Sequence, residues 1–294
     1  MPQMPDVARR RFVDPICDSG RWDAFRPRPG DIVVSTPPKS GTTWMQGILA
    51  LLISGDPQVD ANPSMKAPWI DMKMRPLDEV MARLEAQTGR RHVKSHSPFD
   101  CIPDWPQLRY IAVYRHPIDV HLSYRAHRAN MRFDVGLAEV AQDPSESFRH
   151  FLQDRTEHHG LPVILDHYRS ALARDGQESL ARFHYADMLR DLGGAVARVA
   201  QHVGIDHPPE QLARLTEAAR FDSMKANADR FTPSAGQGFW HDDRAFFDSA
   251  RCNKWEGVLS AEDLAAYDAV MAAALEPDQR RWLEGGDSGL AGVG

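Results

Sequence analysis

DIVVSTPPKSGTTWMQGILALLIS, residues 31–54, changes its pattern twice within 24 positions. It opens with a short β-branched run bounded by Gly30 on one side and Pro37 and Pro38 on the other, the pattern of a buried strand. It closes with Trp44, Ile48, Leu51 and Leu52 recurring at helical spacing. Between the two lies PPKSGTT, so the order is strand, loop, helix. Such a loop at the mouth of a strand is an anion cradle. Gly41 lets backbone approach closely, and N–H groups at the start of the helix point into the turn. Lys39 adds a positive charge, and Thr42 and Thr43 add hydroxyl donors beside Ser40. The ATPase pattern GxxxxGK[ST] is absent, because here the lysine precedes the glycine.

Working outward, three more strand patterns follow. RHVKSHS (residues 91–97) is closed by Pro98. RYIAVYR (residues 109–115) is closed by Pro117 and leads into the helical IDVHLSYRAHRAN. SLARFHY (residues 179–185) precedes DMLRDLGGAVARVAQHVGI, whose leucines and valines mark one helical face. Strands separated by helical segments imply an α/β fold, a single domain with a central parallel sheet flanked by helices. The expected division is a leader over residues 1–21, the domain over residues 22–284, and a flexible tail over residues 285–294. From Pro208 onward the chain reads as helical or irregular, with a loop rich in glycine, proline and aromatics before a last helix. Ser260 and Asp263 have capping-box spacing at its start, and Leu264, Tyr267 and Met271 form its apolar stripe.

Composition sets outer bounds. The 294 residues carry 42% hydrophobic and 26% charged side chains, close to globular averages. A formal charge of −6 argues against non-specific nucleic-acid binding, so an anionic ligand must be gripped by local loops. No apolar run approaches the roughly 20 residues of a membrane span, and no apolar stretch follows the charged N-terminus. A cytoplasmic protein without membrane partners is expected. Cys17, Cys101 and Cys252 form no CxxC pair and read as free thiols.

PKSGTTW, residues 38–44, is unchanged from the 5′-phosphosulfate loop of the sulfotransferases that use 3′-phosphoadenosine 5′-phosphosulfate (PAPS), and the chain resembles that family. The resemblance implies a P-loop nucleotide-kinase-like fold, PAPS as donor and its bisphosphate PAP as product. It also implies roles by position. Lys39 would contact the bridging and sulfuryl oxygens, Gly41, Thr42 and Thr43 would bind the 5′-phosphate, Trp44 would stack on adenine, and Ser40 would belong to the same cofactor-binding set. YRHPIDVHLSY is similar to the second family signature and offers Arg115 and Ser123 to the 3′-phosphate; a guanidinium grips phosphate bidentately and a hydroxyl adds a donor. HYADMLRD resembles a segment whose tyrosine meets the adenine edge, here Tyr185, and Phe221 matches the phenylalanine over the other purine face. VKSHSP is similar to KTHLP, which makes His96 the general base and Lys94 a contact to the transferring group. Histidine suits that task near neutral pH, and alternation sends Lys94 and His96 to the same side of the sheet.

The likeness fails in one place. An Arg-Lys-Gly run that helps hold the 3′-phosphate aligns here with Asp248, Ser249 and Ala250, leaving Arg251 as the replacement cation. No HExxH and no acidic strand end beside the loop point to a metal, so none is expected; Asp242 and Asp243 lie in the late loop, and His158 and His159 are expected on a solvated loop. Trp69, Met72, Met74, Phe99 and Trp105 supply apolar material for a pocket holding a small apolar or aromatic acceptor with a hydroxyl or amine. The dimerisation pattern of the resembled family is not preserved in KWEGVLSAEDLA, so monomer and homodimer both stay open. Two rival readings are a P-loop-like nucleotide kinase, which would require Mg²⁺ and an acidic ligand for it, and a catalytically silent nucleotide-binding protein of the same fold.

Overall fold

The structure is a computed structural model that describes residues 9–133, 136–247 and 249–291. Four strands, β1 (Ile32–Ser35), β2 (His92–Ser95), β3 (Arg109–Tyr114) and β4 (Leu180–His184), form one sheet in the order β2-β1-β3-β4. Every neighbouring pair is parallel; Ile32 sits opposite both His92 and Arg109, and Tyr110 opposite Leu180. Each of the four sequence patterns thus yields a strand, one to three residues shorter than the pattern itself.

Fourteen α-helices among the described residues surround the sheet. In chain order they are α1 (Thr42–Ser54), α2 (Pro63–Lys66), α3 (Leu77–Glu85), α4 (Pro117–Asn130), α5 (Pro144–Gln153), α6 (Leu161–Leu172) and α7 (Tyr185–Arg190). Then follow α8 (Leu192–Val203), α9 (Pro209–Ala218), α10 (Phe221–Ala226), α11 (Ala228–Phe231), α12 (Ala261–Ala274), α13 (Pro277–Gly285) and α14 (Asp287–Ala291). Proline stands in the first turn of α4, α5, α6, α9 and α13, where its missing N–H costs nothing and its fixed φ suits the helix. The α12 capping box is made as expected, with the Ser260 hydroxyl and the Asp263 carboxylate each accepting from the other's backbone N–H.

Strand alternation divides the core in two. Tyr110, Ala112 and Tyr114 of β3, with Val33, pack among residues of α5, α6, α12 and α13. Ile111 and Val113, with Ile32 and Val34, pack among residues of α1, α8 and α9 on the other face. Both faces of a parallel sheet are covered, which is why its strands read as continuous apolar runs. Beneath the sheet, the buried Arg91 guanidinium pairs with the buried Asp31 carboxylate and also donates to the carbonyls of Leu84 and Arg26.

The order β2-β1-β3 sends the chain leaving β1 to one side of the sheet and the chain leaving β3 to the other. A crevice opens there, at the carboxyl ends of β1 and β3, the place where open α/β sheets bind ligands. The N-terminal segment also reaches it. Cys17 bridges to Met72, Arg10 pairs with Asp100, and the Asp14 carboxylate meets His158. At the other end, the Asp287 amide donates to Asp187.

Candidate active site

The loop after β1 carries two residues in left-handed backbone conformations, Lys39 at φ 61° and Gly41 at φ 113°. Left-handed backbone is uncommon for lysine, and such residues concentrate at functional sites. Gly41 is required twice over. Besides its φ, a Cβ there would lie 3.1 Å from the Tyr185 ring and 3.2 Å from Val113. Gly41 caps α1 without any side-chain hydrogen bond, so the first N–H groups of a 13-residue helix remain available to an anion. The buried Ser40 hydroxyl has no protein partner, while the Thr36 and Thr42 hydroxyls bond to each other.

A cavity of about 640 Å³ opens beside this loop. Lys39, Gly41, Thr42, Thr43, Trp44, Lys94, His96, Arg115, Ser123, Tyr185 and Phe221 all line it, so segments as distant in the chain as those of Lys39 and Phe221 converge on one space. Trp44 is fixed by its indole N–H donating to the Ala219 carbonyl at 2.7 Å and meets Tyr185 edge to face at 5.3 Å. With Phe221 these rings bound an aromatic slot. Arg115 lies 4.3 Å over the Tyr185 ring. Its Nη2 donates to the Arg251 carbonyl at 2.7 Å, and its buried Nε has no hydrogen-bond partner. Two buried donors without a hydrogen-bond partner, Ser40 Oγ in the loop after β1 and Arg115 Nε just after β3, the latter 3.9 Å from the Asp119 carboxylate, fit a nucleotide that carries more than one phosphate.

At the end of β2, the His96 Nδ1 lies 2.6 Å from the Thr36 carbonyl oxygen. A carbonyl only accepts, so Nδ1 carries the proton and Nε2 keeps its lone pair. Burial first, then the charge of Lys94, holds the imidazole well below its ordinary pKa. Trp69 packs edge-on against His96 at 4.7 Å, and the Lys94 ammonium sits 3.7 Å from the Trp69 ring centroid. Burial lowers the Lys94 pKa to about 8, with Cys17 and Asp71 pulling the other way. The two serines flanking His96, which depart from the family pattern, have a visible use. The hydroxyls of Ser95 and Ser97 and the Ser97 amide all donate to the Asp71 carboxylate, pinning the turn that carries His96.

Lys39 extends across the cavity to within 3.1 Å of His127 Nδ1 and 4.7 Å of the Phe246 ring centroid. The ammonium can only donate, so His127 accepts and is neutral; burial and then Lys39 itself push its pKa well down. Sequence reading missed His127, although its signal was present. Ser123, His127 and Met131 recur every four residues along and just beyond α4, one stripe facing the cavity.

Three expectations need correction. Trp69, Met72 and Met74 line the cavity, but Phe99 and Trp105 do not. Phe99 is packed against Tyr110 and His167, and Trp105 against Trp22 and Phe25, both fully in the core. The Arg251 side chain is exposed and lies outside the cavity wall; its backbone carbonyl is what Arg115 holds, whereas Lys254, three residues on, lines the wall. Asp248 lies outside the described residues. The pair His158–His159 is not solvated. His158 is buried, lines the cavity and bonds to Asp14, and His159 stacks on Tyr124 at 3.7 Å.

Comparison with known proteins gives a consistent result. Residues 29–279 match the model of the sulfotransferase domain family. The chain is 32% identical to a glycolipid sulfotransferase of Mycobacterium bovis over 93% of its own length and 94% of the relative's. It is 25% identical to an amine sulfotransferase of Oryctolagus cuniculus, covering 87% and 84% of the two chains. Among solved structures, retinol dehydratase in complex with retinol and PAP superposes with a TM-score of 0.72 at 19% identity, over 88% of this chain and 87% of that one. A mouse sulfotransferase complexed with PAP gives 0.69 at 17% identity, over 93% and 91%. Among the described residues no helix is long and apolar enough to cross a membrane.

Proposed function

The chain belongs to the sulfotransferase family, and on that premise we propose that it moves the sulfuryl group of PAPS onto a hydroxyl or amine of a small apolar or aromatic acceptor, with His96 as general base. The observation that carries this reading is the His96 tautomer. Its Nδ1 proton is committed to Thr36, its Nε2 lone pair belongs to a residue lining the cavity, and two lysines approach the same space. In the proposed reaction the acceptor oxygen attacks sulfur while the bond from sulfur to the bridging phosphate oxygen breaks. The acceptor proton passes to His96 Nε2, and the electron pair of the broken bond leaves on PAP. Lys39 and Lys94 offset the charge that builds on the bridging and sulfuryl oxygens. The slot of Trp44, Tyr185 and Phe221 takes the adenine. Arg115 and Ser123 take the 3′-phosphate, Lys254 supplying charge that the late loop lacks at Asp248–Ala250.

The apolar wall of Trp69, Met72 and Met74 suits an apolar acceptor body. The kinase alternative lacks support, since the one carboxylate among the described residues on the cavity wall is Glu79, which belongs to α3 and not to a strand end or to the Lys39 loop. The test compares thermal stabilisation by adenosine 3′,5′-bisphosphate, ADP and ATP without metal, then assays transfer from PAPS by wild type and His96→Ala. Stabilisation by the bisphosphate and loss of transfer in the variant are expected. A preference for ATP with Mg²⁺ sinks the donor assignment, and transfer surviving in His96→Ala sinks the base.

A further inference from the structure

A second imidazole faces the cavity beside His96. His158 Nδ1 lies 2.6 Å from the Asp14 carboxylate, which also accepts from the His158 amide at 2.9 Å. Both side chains are buried. A carboxylate accepts, so Nδ1 carries a proton, and in the neutral ring Nε2 is the acceptor nitrogen, the tautomer that Thr36 also favours in His96. The two rings are nearly parallel, 15° apart, with centroids 5.6 Å apart, and Trp69 packs edge-on against both. Neither Nε2 is sealed in the protein without a partner, and both residues line the cavity.

We propose that His158, aimed by Asp14, binds a second hydroxyl of the acceptor, so that the enzyme selects vicinal diols and sulfates one of their two oxygens. This rests on the sulfotransferase reading above and narrows its acceptor. Hydroxyls on adjacent carbons, each with a hydrogen bond of about 2.8 Å, can reach two rings set 5.6 Å apart. One hydroxyl then loses its proton to His96 Nε2 as it attacks sulfur, and its neighbour keeps its proton and donates to His158 Nε2. A site built to accept from a hydroxyl discriminates against the analogue lacking it, because the buried acceptor is then left unpaired.

A metal is the competing use of these residues, since Asp14, Cys17 and His158 offer ligand atoms within 4.8 Å of one another. The donor chemistry opposes it. The Asp14 oxygens already accept from the amides of Ile16, Cys17 and His158 and from the His158 ring. Burial pushes the Cys17 thiol well above its ordinary pKa, which keeps it protonated and a poor ligand.

The experiment measures binding by calorimetry for two matched pairs, catechol against 2-methylphenol and trans-cyclohexane-1,2-diol against cyclohexanol, with and without adenosine 3′,5′-bisphosphate. The aromatic and alicyclic pairs separate a catechol-like from a sugar-like source of the diol. Wild type is expected to bind at least one diol about tenfold more tightly than its partner, the scale of one buried hydrogen bond. His158→Phe and Asp14→Asn should erase most of that preference, and His158→Gln should restore part of it. Equal binding of both pairs by wild type overturns the proposal without any variant, as does a preference that survives His158→Phe. Loss of the nucleotide response, by contrast, sinks the donor assignment and leaves the diol comparison to decide the acceptor by itself.

Discussion

His96 and Thr36 meet at 2.6 Å, ring Nδ1 to carbonyl oxygen, and that one contact ties the end of β2 to the end of β1 and sets which nitrogen can take a proton. Its energetic setting predicts a pH profile. Burial comes first, then the charge of Lys94, both holding His96 well below the ordinary imidazole value. The Thr36 carbonyl pulls the other way. The neutral ring is the active base, so lowering its pKa extends activity to lower pH. The acid limb of kcat/KM, which reports the free enzyme, should fall below the ordinary value of about 6.5. A limb at or above that value in a pH–rate series would exclude His96 as the base.

Arg115 is the group most exposed to a single substitution at the nucleotide end. It is buried, stacked on Tyr185 and paired with Asp119 at 3.9 Å, and its Nε makes no hydrogen bond, so the guanidinium keeps a donor for a second acceptor. Arg115→Ala should weaken adenosine 3′,5′-bisphosphate by about 10- to 100-fold, the scale of a charge-assisted bidentate pair, and leave adenosine 5′-monophosphate nearly unchanged. Arg115→Lys keeps charge but loses the fork, and should recover only part of the difference. Calorimetry with both nucleotides measures it; equal losses for the two would remove Arg115 from the 3′ end.

What the sequence disclosed, and what it hid, divides along contact range. The strand-loop-helix of residues 31–54 was legible because its determinants are local. β-branched residues give the strand, Gly41 the turn, and a 3.6-residue stripe the helix. β3 followed for the same reason, with Pro117 ending its run. Phe99 and Trp105 looked like pocket material because they are large, apolar and close in sequence to His96. Burial against Trp22, Phe25, Tyr110 and His167 is a tertiary outcome with no local mark. His158 read as a loop residue because its partner Asp14 is 144 positions away. Arg251 stands one residue from the family position and reads as a side-chain cation, but a loop with left-handed backbone at Ala250 and Asn253 presents its carbonyl to Arg115 instead.

The Arg91–Asp31 pair makes a prediction about the sheet. Both side chains are 2% exposed, and Arg91 spends its remaining donors on two carbonyls. Removing the guanidinium leaves a buried carboxylate with no countercharge, a loss of about 3–5 kcal/mol where such pairs have been broken. Arg91→Ala should therefore lower the denaturation midpoint in urea far more than the double replacement Arg91→Met with Asp31→Asn, which removes the uncompensated charge as well. Equal midpoints for the two variants would show that lost packing, and not the stranded carboxylate, sets the cost.

Lys94 should set the alkaline limit of catalysis. Burial lowers its pKa to about 8, against the opposing pull of Cys17 and Asp71, and its ammonium rests on the Trp69 face beside His96. The charged form is the one that can meet an anionic sulfuryl group. Because the folded value is depressed, that form is complete below pH 8 and is lost as pH rises through it. The kcat/KM for PAPS should fall above about pH 8, one proton lost per enzyme, with kcat falling at higher pH because the bound donor's negative charge favours the ammonium. Lys94→Arg, charged throughout this range, should be slower at every pH but lose the alkaline limb. Persistence of the same limb in Lys94→Arg would assign it to another group, and a limb in wild type near the ordinary lysine value of about 10.4 would show that the ammonium is not desolvated when it meets the donor.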